Sequence, residues 1–249
     1  MLTGFIREGV IEKYWAEVDQ FNQSLERLSN RRLAEVRRED DLAKAKVVWK
    51  VVVFQQSIIH RIVMLGAGCT NSWNGKNFLA AILCIRAAME TCALVRDVEK
   101  KLQKLCSVGD FNAINKLIDK ASFGTRQESW LKEDWNVNAI HTLECIRNLD
   151  KEIPGVLLHY EGLSDFCHPN YLGLLYSFGT IDHDTATVSF SDSVVYQKDI
   201  FIHIFTGMTV IELTELTINS IDKLMPRILE LSDFDKAESE AKVLSLSGE

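Results

Sequence analysis

Proline is almost missing from this chain: only Pro154, Pro169 and Pro226 occur in 249 residues. Proline lacks a backbone donor and breaks helix interiors, so its scarcity permits long uninterrupted helices. Paired cysteine motifs are missing too. The six cysteines (Cys69, Cys84, Cys92, Cys106, Cys145 and Cys167) include no C-x-x-C pair. Most sit among apolar residues, as small buried hydrophobes of a reducing compartment do, so neither a disulfide nor a zinc framework is expected. No charge-free apolar run reaches the roughly 18 residues of a membrane span. Even IVMLGAGCTNSWNG is short and partly polar. The opening MLTGFIREGVIEKYW carries charge at Arg7 and Glu8 and lacks the apolar region of a secretory leader. The expected location is therefore cytoplasmic, with no membrane contact. Positive charge is in deficit, giving a net charge of −7. That argues against a broad nucleic-acid-binding surface and leaves room for a local one.

What is present is an ordinary globular mixture, 47% hydrophobic and 25% charged, on a chain long enough to bury a substantial core. Periodicity predicts a mainly α fold, a long-helix bundle with one small β-hairpin. The first helix is expected from about Thr3 to Val36. Ile11, Tyr14, Val18, Phe21, Leu25 and Leu28 alternate steps of three and four along it. Such a stripe packs against other helices, and a homodimer seam is one way to cover it. A second helix is expected from Asp40 to Leu65, ended by the glycines and asparagines of GAGCTNSWNGK. Others follow at Asn77–Leu105, Phe111–Lys120 and Val137–Leu149, the last after the polar link ASFGTRQESWLKEDWN. Pro154 and Gly155 open a further helix. Alternation in LGLLYSFGTIDHDTATVSFSD predicts a hairpin at about 174–191, with Asp182, His183 and Asp184 at its turn. A last helix is expected over Val195–Leu231. Together these form one domain, 1–233, followed by a polar tail, 234–249.

Several motifs fall to ordinary readings. GAGCTN lacks the third glycine of a dinucleotide fingerprint and follows a helix rather than a strand. Arg27, Arg31, Arg32, Arg37 and Arg38 interleave with Glu26, Glu35, Glu39, Asp40 and Asp41, the pattern of a solvated, self-paired face. His168, His183, Asp182 and Asp184 match no known ligand spacing, so neither a metal nor another cofactor is expected.

Two segments carry more. In IRAAMETCA, Arg86 and Glu90 stand four apart on one helix face among small apolar residues, where an ion pair needs further polar partners. In YEGLSDFCHPNYLG, residues 160–173, Tyr160, Ser164 and His168 form a stripe at steps of four, beside Glu161 and Asp165. Pro169 disfavours helical geometry at His168 and so places its imidazole at the helix end. A protonated imidazole is stabilised there by the helix dipole, which makes the segment a sound helix stop. It also presents a group able to move protons near neutral pH.

RAAMETCA, NAIHTLECIRNLDKEIPG and YEGLSDFCHPNYLG together resemble a group of bacterial proteins that pair an Arg-x-x-x-Glu helix with a Tyr-x-x-Leu-Ser-(Asp/Glu)-x-x-His-Pro-Asn segment. That group is similar to the HEPN superfamily of helical bundles, many of them ribonucleases or partners in toxin–antitoxin and anti-phage systems. The resemblance covers about residues 40–175. It implies a defence or toxin-type protein acting on RNA or nucleotides, with His168 as acid, base or phosphate contact. Arg86 would stabilise anionic charge and Glu90 would orient Arg86, with Tyr160, Ser164, Asp165 and Asn170 as binding residues. The ribonuclease pattern of arginine, four to six residues, then histidine is not met, because Leu163, Gly162 and Glu161 stand where the arginine would be. Arg86 would have to supply that charge from the neighbouring helix. The alternative is a non-catalytic helical protein-interaction module in which the same residues form a structural polar network.

Overall fold

The computed structural model describes residues 4–6, 10, 12–39, 45–127, 138–192 and 197–246. It is mainly α, with one hairpin. The helices are α1 (Trp15–Asn30), α2 (Lys46–Asn74), α3 (Phe78–Val108), α4 (Phe111–Phe123), α5 (Thr142–Asp150), α6 (Val156–Cys167) and α7 (Gln197–Leu246). A 3-10 turn, Glu12–Tyr14, precedes α1. A π-helical turn, Leu172–Tyr176, follows α6 and leads into strands β1 (Gly179–Asp182) and β2 (Thr187–Phe190). The strands pair antiparallel with Gly179 opposite Phe190 and Asp182 opposite Thr187.

Several element boundaries differ from the sequence expectation, and four of the differences have a local reason. Regular helix in the first segment covers 15–30 only, and the Arg31 N–H closes its end by donating to the Leu28 and Ser29 carbonyls. The α2 helix does not stop at GAGC but runs on to Asn74. Its glycines are points of close approach rather than turns. A Cβ on Gly66 would lie 2.6 Å from Leu25 Cδ1, and one on Gly68 would lie 2.9 Å from Cys84 Sγ. The hairpin is shorter than 174–191, because residues 172–176 wind into the π turn instead. The last helix continues through Pro226 and the polar segment to Leu246. Thr3, Ile11, Asp40, Asp41, Val137 and Val195 lie outside the described residues. Residues 138–141, expected to be helical, are not helical, and α5 begins only at Thr142.

The chain divides into two compact units. The first comprises residues 1–31, 59–93 and 142–215. Its core joins Phe21, Leu25 and Leu28 to Ile59, Ile62, Ile85, Met89, Ile146, Ile204 and Ile211, all buried. Val18, Phe21, Leu25 and Leu28 of the expected α1 stripe are buried within their own chain. Polar ties reinforce the packing: Ser24 and Arg27 donate to the Glu215 carboxylate at 2.7 Å each. The second unit comprises residues 32–58, 94–141 and 216–249. Phe54, Ile58, Leu102, Ile114, Ile118, Ile218 and Ile228 fill its core. Within it Glu99 is fully buried, and it accepts hydrogen bonds from Ser220 and Arg96.

Three stretches, 46–74, 78–108 and 200–235, are long and apolar enough to cross a membrane by length and composition. Between 44% and 56% of each apolar window is buried inside the fold, so much of that apolar content forms the core described above.

Candidate functional site

The site begins with how α6 is started. Asp150 Oδ1 accepts from the backbone N–H groups of Gly155 and Leu157, both at 3.0 Å, capping the incoming turn. Gly155 has φ +101, a left-handed conformation that costs other residues strain. From that start Tyr160 and Ser164 fall one turn apart on the face turned to α3. The Ser164 hydroxyl donates back to the Tyr160 carbonyl at 2.9 Å.

Helix α3 supplies the charges. Arg86 Nε–H donates to Ser164 Oγ at 2.9 Å, and Nη2 donates to the Tyr160 hydroxyl at 3.0 Å. That hydroxyl donates to Glu90 Oε1 at 2.8 Å. Glu90 also pairs with Arg86 Nη2 at 3.2 Å. The guanidinium lies 5.2 Å from the centre of the Tyr160 ring, within cation–π range. The structure thus brings four of the seven expected residues into one closed quartet: Arg86, Glu90, Tyr160 and Ser164. Tyr160 is buried, whereas the Arg86 and Glu90 side chains keep 29% and 27% of their surface exposed. Burial, reinforced by Glu90, raises the Tyr160 phenol above its ordinary pKa, so it stays a neutral donor. Arg86 Nη1 hydrogen-bonds to no described residue.

The other three expected residues sit differently. His168 ends α6 in an extended conformation, ψ 149, with its N–H bonded to the Ser164 carbonyl. Its imidazole is exposed and takes no hydrogen bond among the described residues. Asp165 is exposed on α6. Asn170 serves the local backbone: its Oδ1 accepts from the Gly173 N–H at 3.0 Å and caps the π turn. Gly173 is required there, since a Cβ would collide with the His168 carbonyl oxygen. The His-Pro-Asn-x-x-Gly run is therefore a compact reversal that leaves one imidazole at its rim.

Sequence reasoning missed two neighbours. Cys167 lies within electrostatic reach of Arg86 and Glu90, and burial pushes its thiol above the usual range. It stands three residues after Ser164, a helical spacing that could have placed it here. His159 faces His203 of α7, with the two Nδ1 atoms 3.0 Å apart. Nothing in the sequence joins residues so distant. Gly162 makes that contact possible, because a Cβ would meet the His203 ring at 2.5 Å. At the hairpin turn, Asp182 accepts from its own loop, from Thr185 Oγ1 at 2.7 Å and from the Asp184 N–H at 2.9 Å. Among the described residues no group of three His, Cys, Asp or Glu side chains could hold a metal ion.

No family model, no curated protein and no solved structure matches this chain.

Proposed function

We propose that the chain is a HEPN-like bacterial defence or toxin-type protein of the cytoplasm that engages a phosphate of RNA or of a nucleotide at Arg86 and His168. The observation carrying this reading is the state of Arg86. Glu90, Tyr160 and Ser164 fix the orientation of its guanidinium, while Nη1 bonds no described residue on a side chain that is still 29% exposed. A pre-oriented guanidinium edge suits a phosphate, because no rotamer freedom is lost when the ligand arrives. Glu90, Tyr160 and Ser164 act in this reading as positioning residues. The exposed His168 imidazole, four residues beyond Ser164 at the end of the same helix, meets the ligand and exchanges a proton with it.

A second reading has its own support. The quartet balances its charge, Arg86 against Glu90, and each of its side chains finds a partner inside it. Such a network can pin α3 to α6 in a protein-interaction module with no chemistry at all. Labelled single-stranded RNA and nucleotides, tested with the full chain, separate the two. On the first reading His168→Ala abolishes binding or cleavage while leaving the melting temperature in place, and Arg86→Ala abolishes it too. Equal RNA binding and cleavage by the parent and His168→Ala would leave only the second reading.

A further inference from the structure

The second unit contains a cavity that the quartet does not touch. Its volume is about 290 Å³, near the lower end of the size of small-molecule pockets. Its polar walls come from α2, α4 and α7, with Arg38 added from the segment before α2. Lys50 and Asn115 form the fixed part. Lys50 Nζ bonds Asn115 Oδ1 at 2.9 Å and pairs with Asp119 at 2.6 Å, which neutralises it. The Phe111 side chain lines the apolar wall.

Further polar side chains reach the same cavity. Arg38 and Lys46 line the same cavity, are exposed, and form no ion pair or hydrogen bond among the described residues. Arg37 pairs with Glu35 at 2.7 Å, as a self-paired face requires, whereas Asp40 and Asp41 beside Arg38 lie outside the described residues. Ser232 is only 3% exposed overall and lines the cavity. Asp235 adds one carboxylate to the wall, with no ion pair among the described residues. Among the described lining residues, Arg38 and Lys46 against Asp235 leave an excess of one positive charge.

We infer that this cavity binds a small organic anion with a flat apolar body, a carboxylate or phosphate whose charged head lies between Arg38 and Lys46. The ring of such a ligand lies along Phe111. Ser232 donates to the ligand or accepts from it, and Asp235 accepts from any hydroxyl it carries. The charge excess among these residues favours an anion over a neutral molecule. A bare inorganic ion would leave the Phe111 wall uncovered.

The test uses the full chain and four probes in ligand-observed NMR titrations: benzoate, phenyl phosphate, inorganic phosphate and phenol. Benzoate or phenyl phosphate binds, and the tighter of the two identifies the head group. Inorganic phosphate and phenol bind roughly tenfold more weakly or not at all, since each lacks half of what the cavity recognises. Lys46→Glu and Arg38→Glu each weaken binding by roughly tenfold. Both residues are exposed and pair with no described residue, so circular dichroism melts of these variants match the parent. Silence of both aromatic anions at millimolar concentration overturns the proposal. So does equal binding of phenol, of inorganic phosphate, or by the two charge-reversed variants.

Discussion

At Arg86 the outcome of a substitution depends on what is stranded. Removing the guanidinium leaves Glu90, with only 27% of its side chain exposed, without its counter-charge, and leaves the Tyr160 hydroxyl and Ser164 short of a donor. A partly buried charge that loses its partner costs about 1–3 kcal/mol. Arg86→Ala should therefore lower thermal stability by that amount. The His168 side chain has no partner among the described residues, so His168→Ala should stay within about 0.5 kcal/mol of the parent. Chemical denaturation of the two variants side by side checks both numbers. A large loss for His168→Ala would mean that its imidazole is held by something other than the helix end. Tyr160→Phe tests the link inside the quartet: it removes the atom that accepts from Arg86 and donates to Glu90, at a cost of about 1 kcal/mol. Spacing made much of this quartet legible. Steps of four put Arg86 beside Glu90 and Tyr160 beside Ser164. Which helix faced which was not legible, because one chain's periodicity names a face and not its neighbour. Nor could spacing separate Asn170, occupied with capping Gly173, from a ligand contact.

Among the elements, glycine was the residue most easily misread. Gly66 and Gly68 look like loop chemistry in sequence, yet they sit inside α2 because a neighbour occupies the space of a side chain. The same logic holds at Gly207 in α7, where a Cβ would run into Ile85 Cγ1. Alanine is the better helix former by about 1 kcal/mol. Overpacking nonetheless costs about 1–3 kcal/mol, so Gly207→Ala should destabilise the fold. A rise in melting temperature would show that Ile85 moves aside freely. At the hairpin, hydrogen bonds from Thr185 and Asp184 hold the exposed Asp182 carboxyl below the usual aspartate range. Its folded-state pKa is depressed, so its contribution is fully present above the unfolded value of about 4 and is lost as pH falls through the folded value. Amide shifts of Asp184 and Thr185 should move together in that acid window and stay fixed above it. Asp182→Asn should remove the transition. The long helices and the hairpin were readable because proline scarcity and alternation are local signals. The π turn was not, because it depends on the Cβ-free approach of Gly173 to His168.

On the scale of the whole molecule, one contact couples acidity to stability. His159 of α6 and His203 of α7 meet through Nδ1 atoms 3.0 Å apart, with Phe166 against the His203 ring at 6.4 Å. One Nδ1 must donate and the other accept, so the contact needs at least one neutral ring. Burial lowers the His159 pKa below its ordinary value. Folding therefore disfavours the charged ring. The contribution is complete above the unfolded value of about 6.5 and declines as pH falls from there through the folded value. Protonating both rings also sets two like charges against each other with no proton-free nitrogen between them. The melting temperature should accordingly drop between about pH 7 and pH 5, a range in which most carboxylates stay ionised. His159→Gln, which cannot titrate, should flatten that slope while leaving the acid transition at the hairpin untouched. The two variants thus assign two pH windows to two places in one chain. An unchanged slope in His159→Gln would mean that another group governs the near-neutral window and that the histidine pair tolerates full protonation.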